Sequence, residues 1–180
     1  MLFVKRILAV LTVVVVASCG PADKDLAEIK EPIGEFKLGF NVVVADDAKM
    51  APPSRRATEE QLEAAMKKAV DERFSRYNGT QLYHIAITID AYSLAIPGVP
   101  LVFNPKSVMV IGATVWDDAK GGKINTEPKQ FTFLERASEK TVLSSGMTQN
   151  KEEQLENLVK NGARLVEDWM RDNPDWFAKK

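Results

Sequence analysis

Phe36-Lys37-Leu38-Gly39-Phe40-Asn41-Val42-Val43-Val44 alternates, placing Phe36, Leu38, Phe40, Val42 and Val44 on one face and Glu35, Lys37, Gly39 and Asn41 on the other. A period of two over such a run is that of a half-buried strand. After it, Asp46-Asp47 and Pro52-Pro53 mark a loop that ends at Thr58-Glu59-Glu60-Gln61, a capping box that opens a helix. Leu62, Ala65, Met66, Ala69, Phe74 and Tyr77 recur at helical spacing, Lys67, Lys68, Asp71 and Glu72 fall on the water side, and Asn78-Gly79 supplies a stop.

Downstream, Tyr83, Ile85, Ile87 and Ile89 alternate with His84, Ala86, Thr88 and Asp90, giving a second strand with an aliphatic inner face. Val108 to Trp116 is a third, with Met109, Ile111, Ala113 and Val115 opposed to Val108, Val110, Thr114 and Trp116. The connection from Ile96 to Pro105 is too short for a crossover helix, so these two strands should pair antiparallel. A turn over Asp117 to Gly122 leads to a fourth strand at Phe131-Thr132-Phe133, and Thr141 to Leu143 reads as a short edge piece. Asn150-Lys151-Glu152-Glu153 caps a final helix with the stripe Leu155, Leu158, Val159, Leu165, Val166, Trp169 and Met170, stopped by Asn173-Pro174. The order β-α-β-β-β-α predicts an α+β two-layer sandwich, a mainly antiparallel sheet with both helices on one face.

The first residues carry a different signal. Lys5 and Arg6 precede an apolar run from Ile7 to Val16, and Val16-Ala17-Ser18-Cys19 follows, which is the layout of a secretory signal peptide. It is too short to read as a spanning helix, which needs about 20 apolar residues. The last four residues resemble the lipobox of a bacterial lipoprotein. That resemblance implies cleavage before Cys19, a diacylglyceryl thioether on its sulfur and acylation, commonly by palmitate, of the new amino terminus. An ordinary signal peptide with a chance cysteine is the other reading. Cys19 is the single cysteine, so it has no disulfide partner within the chain, and lipidation accounts for it. Gly20 in place of Asp after the cysteine implies, by the same resemblance, sorting to the outer membrane. Residues 19–34 read as a flexible tether and 35–180 as one domain. A lipobox, a tether and a β-α-β-β-β-α domain with a D-x-x-x-G-type turn at Asp117 to Gly121 resemble small periplasmic-facing α+β lipoproteins of unknown function. Accessory lipoproteins of transport and envelope-assembly machines are a more distant likeness.

The whole chain of 180 residues has a formal charge of -1, and removing residues 1–18 takes Lys5 and Arg6 with it, -1 - 2 = -3. There is no basic footprint for nucleic acid. His84 shares a strand face with Thr88 and Asp90, but no G-x-S-x-G elbow, S-x-x-K element or second histidine accompanies it, and it reads as a surface histidine. Asp117 and Asp118 lack calcium-loop spacing and read as a turn. Glu152 and Glu153 suit the positive end of the helix dipole. No catalytic residue, metal or cofactor is expected.

Two functions remain open. One is a non-enzymatic envelope lipoprotein that binds or assembles a partner. The other is a carrier or hydrolase for an apolar or envelope-derived ligand, which requires a closed pocket between helices and sheet. Ala95 to Phe103 has almost no polar side chain. Either it folds back over the outer sheet face that carries Tyr92, Val108, Val110 and Trp116, or it presents Ile96, Val99, Leu101, Val102 and Phe103 to an envelope protein or lipid. Changing Leu101 and Phe103 together to Ser separates these. A docking loop loses association at an unaltered melting temperature, whereas a folded-back loop loses several kcal/mol of stability, read by thermal melts beside a pull-down.

Overall fold

The computed structural model describes residue 26 and residues 31–96, 107–135 and 150–179. In chain order they form β1 (Phe36–Val44), β2 (Lys49–Met50), α1 (Glu59–Phe74), β3 (Gln81–Ser93), β4 (Val108–Asp117), β5 (Gly122–Lys123), β6 (Lys129–Leu134), α2 (Lys151–Arg171) and a 3-10 turn (Pro174–Phe177). Both capping boxes are present, Thr58 with Gln61 and Asn150 with Glu153. The expected edge piece at 141–143 lies outside the described residues.

The fold is the expected α+β two-layer sandwich, but its sheet is mixed. β3 and β4 pair antiparallel, as do β4 with β5 and β6. β1 and β2 pair parallel with β3. The cause is α1, which carries the chain back to the starting end of β1 before β3 begins, and a crossover of that kind produces parallel neighbours.

A larger correction concerns β1. Its alternation does not continue along one face. Leu38 pairs with Tyr83, and the next pairing is Asn41 with Ile85, so β1 has one more residue than its partner across this step. Such a bulge exchanges the faces of everything beyond it. Phe36 is buried as expected, but Phe40 is 73 % exposed, Val42 and Val44 also point out, and Asn41 turns in. The Nδ2 of the buried amide is held from α1, donating to Lys67 O (2.8 Å) and to Asp71 Oδ1 (3.1 Å), while Oδ1 is buried without a partner. A second irregularity, between Ile89 and Ala91 of β3, moves Tyr92 off the outer face. It is buried, and its hydroxyl donates to Ala57 O at 3.0 Å.

The core lies between the sheet and the helices. Ile85, Ile87, Met109 and Ile111 meet Leu62, Met66, Val70, Leu158, Val166 and Met170, all essentially fully buried. At one end Phe36 gathers the aromatic rings of Phe74, Tyr83 and Phe177 at centroid distances of 5.6–5.8 Å. The expected stop after α2 holds, but the chain then places Phe177 in this cluster from the 3-10 turn. Along α2 the expected stripe packs, with Leu165 and Trp169 only half-buried, Trp169 against Phe131 and Trp176.

α2 can approach β6 because residue 162 has no side chain: a Cβ there would lie 2.5 Å from the Phe133 ring. Gly162→Ala should therefore destabilise the fold by about 1–3 kcal/mol through overpacking, measured by denaturant unfolding.

Candidate functional site

The two helices are joined by a buried charge cluster absent from the apolar stripes. Glu167 is fully buried and lies between Arg73 Nη1 (2.8 Å) and Arg76 Nη2 (2.5 Å). Tyr77 donates its hydroxyl hydrogen to the same carboxylate and accepts a hydrogen bond from Arg171 Nη2 at 2.7 Å. Burial pushes the Tyr77 phenol above its ordinary pKa, the Glu167 hydrogen bond and charge add to this, and Arg171 opposes it. At Arg76 burial works against the cation, yet the hydrogen bond and charge of Glu167 prevail and its pKa rises. Arg73 and Glu167 continue the inward faces of their helices, three residues after Val70 and four after Ala163, and only their spacing in the sequence hints at burial. This cluster is a fastening between helices. Its ends also hold the incoming chain, with Arg171 Nη2 on Glu31 O (2.6 Å) and Arg76 Nη1 on Leu26 O (3.2 Å).

His84 occupies the opposite face of the sheet. Its ring sits where Gly39 leaves space, since a Cβ at residue 39 would lie 2.5 Å from Nδ1. The Phe40 backbone N–H donates to Nδ1 at 2.8 Å, which places the ring hydrogen on Nε2, 3.0 Å from Asp118 Oδ1. The Phe40 ring lies 5.0 Å from the imidazole. The expected surface histidine thus has a defined task, holding the bulge. Thr88, on the same face, bonds instead toward Gly112 O. The one sign of this in the sequence is a glycine inside a strand, which marks a bulge or a close approach.

Asp117 is buried, accepts from Gln81 Nε2 (2.8 Å) and from the Lys120 backbone N–H (3.2 Å), and closes the β4–β5 turn. Glu153 serves the α2 cap. Among the described residues no group of three or more His, Cys, Asp or Glu side chains could hold a metal ion, and no helix is long and apolar enough to cross a membrane. A solvent-open groove of about 200 Å³ runs between α1 and α2, with Ala65, Ala69, Leu155 and Val159 in it and lysines and glutamates around it. Of the loop residues singled out from the sequence, Ile96 is half-buried; Val99, Leu101, Val102 and Phe103 lie outside the described residues, as does Cys19.

What remains as a candidate surface is the face of the sheet that carries no helix. Val42 pairs with Ala86 and Ala86 with Thr114; Val110 pairs with Thr132, and Val108 with Leu134. Phe40, Val42, Val44, Leu82, Trp116 and Leu134 are all exposed, an apolar set larger than isolated surface residues would produce.

Searches against family models and against curated proteins each found no match. Solved structures similar to the chain include a DUF330 protein from Xanthomonas campestris, with TM-score 0.47, 12 % identity, and coverage of 80 % of this chain and 90 % of that one. Another is a minor lipoprotein from Acinetobacter baumannii, with TM-score 0.31, 16 % identity, and coverage of 74 % and 93 %. A third is the PelC dodecamer from Paraburkholderia phytofirmans, with TM-score 0.37, 9 % identity, and coverage of 73 % and 87 %. At these scores the likenesses say nothing of function.

Glu167→Ala removes the anion shared by Arg73 and Arg76 and should cost about 3–5 kcal/mol, as breaking a buried ion pair does. Urea unfolding of the variant beside the parent measures it.

Proposed function

We propose that this chain is a lipid-anchored, non-enzymatic lipoprotein of the bacterial envelope, held through Cys19 at the outer membrane facing the periplasm, whose domain binds or helps assemble an envelope partner. The observation that carries the reading is the helix-free sheet face, where Val42 stays 52 % and Leu134 48 % exposed at opposite strands with Ala86, Val110 and Thr114 between them. Exposed apolar side chains gathered on one sheet face in this way mark an interaction site.

The space that a carrier or hydrolase would use between helices and sheet is occupied by Leu62, Met66, Phe74, Leu158 and Met170. The groove between α1 and α2 is open on the outside of the helix layer and is bordered by Lys68, Glu72, Lys151 and Glu156. A partner that meets the sheet is the better fit to both features. The lipobox at Val16-Ala17-Ser18-Cys19 supports the anchoring half of the proposal.

Cys19→Ala should leave the protein unprocessed or soluble, while mass spectrometry of the parent shows an acylated Cys19 as first residue; a free thiol there refutes the anchor. Val42→Asp with Val44→Asp should stay within about 1 kcal/mol of the parent in stability, as exposed changes do, and should lose the partner in crosslinking from intact cells.

A further inference from the structure

The open sheet face has one end that differs from the rest. Lys37 pairs with Leu82, His84 with Trp116, and Trp116 with Lys123, and the Phe40 ring lies beside His84. Phe40, Leu82 and Trp116, exposed by 73, 41 and 37 %, are thus gathered around His84 at one end of the face. Lys37 and Lys123 flank them on the two outer strands, both exposed. Of the acids at this end, Asp118 accepts from His84 Nε2 at 3.0 Å, and Glu35 accepts from the Thr80 hydroxyl at 2.6 Å.

The chain enters the fold at this same end. Ile33 is buried in the core, the Glu35 backbone N–H donates to Phe177 O at 2.7 Å, and Leu26 and Glu31 are held by Arg76 and Arg171. Leu26 stands only seven residues along the chain from Cys19, a reach of at most about 25 Å fully extended. A lipid on Cys19 therefore keeps this end of the sheet close to the bilayer.

We propose that Phe40, Leu82 and Trp116 enter the headgroup boundary of the membrane that holds the Cys19 lipid, with Lys37 and Lys123 at the lipid phosphates. The inference deepens the reading above and rests on its lipid anchor. Three side chains are too few to bind a bilayer by themselves. Tethering raises their effective concentration at the surface to the order of millimolar, so the contact forms within an already anchored molecule. Trp is suited to this depth because its ring is apolar and its N–H can reach water, and lysines keep their ammonium groups at the surface while their stems lie along apolar matter. The contact turns one end of the sheet to the lipid and leaves Val44, Val110 and Leu134 directed away from it.

The test uses the full acylated chain in vesicles of phosphatidylethanolamine and phosphatidylglycerol, with plain or brominated acyl chains. Tryptophan emission should fall in brominated vesicles, and this quenching should be lost in Trp116→Phe, because Trp169 and Trp176 pack against each other beside α2. Hydrogen exchange on the parent chain, which needs no variant, should show protection at residues 37–42 and 116–123 in vesicles relative to detergent. A chain that floats with the vesicles yet shows neither quenching nor protection overturns the membrane contact while leaving the anchor standing. Quenching that persists in Trp116→Phe assigns the contact to the helix side and also overturns it. A chain that fails to float removes the anchor, and this inference with it.

Discussion

The extra residue of β1 at Gly39-Phe40 sets a backbone N–H toward the sheet face instead of into the ladder, and His84 Nδ1 accepts it at 2.8 Å. This bond depends on Gly39, since any side chain there would collide with the imidazole, and on Asp118, which holds the other ring nitrogen. Without the extra residue, Phe40, Val42 and Val44 would point into the core and Asn41 into water. With it, β1 contributes Phe40, Val42 and Val44 to the outside, and that share of the exposed face exists because of the inversion.

The helix layer has a different kind of fastening. Apolar packing is tolerant of small sliding movements between helices, whereas a carboxylate shared by Arg73, Arg76 and Tyr77 is satisfied in one relative placement. Desolvating these groups opposes their attraction, so the cluster is better understood as fixing the register of α1 against α2 than as a large net source of stability. Its outer arginines extend the same logic to the entering chain, which they hold against the ends of both helices.

These two devices act on opposite faces but meet at one end of the sandwich. There the chain enters, Phe177 closes the aromatic cluster, and β1 and β3 begin. There too Leu26 and Glu31 are held by Arg76 and Arg171, so the chain is fixed in place before β1 begins.

Periodicity alone determined much of this protein. Alternation in Tyr83 to Ile89 and Met109 to Val115, the capping boxes at Thr58 and Asn150, and the short link between β3 and β4 define the elements and the layer to which each belongs, because these are local consequences of strand and helix geometry. The tertiary structure decided which way β1 faces beyond Leu38, that β1 runs parallel to β3, and that Arg73, Glu167 and Phe177 are interior. Each of those depends on a partner distant in the chain: the bulge on His84, the ion cluster on the other helix, and Phe177 on the rings of Phe36 and Tyr83. A strand pattern cannot register an inserted residue that a remote side chain stabilises, and a charged residue on a helical stripe looks like a solvent-facing one until its counter-charge is brought to it.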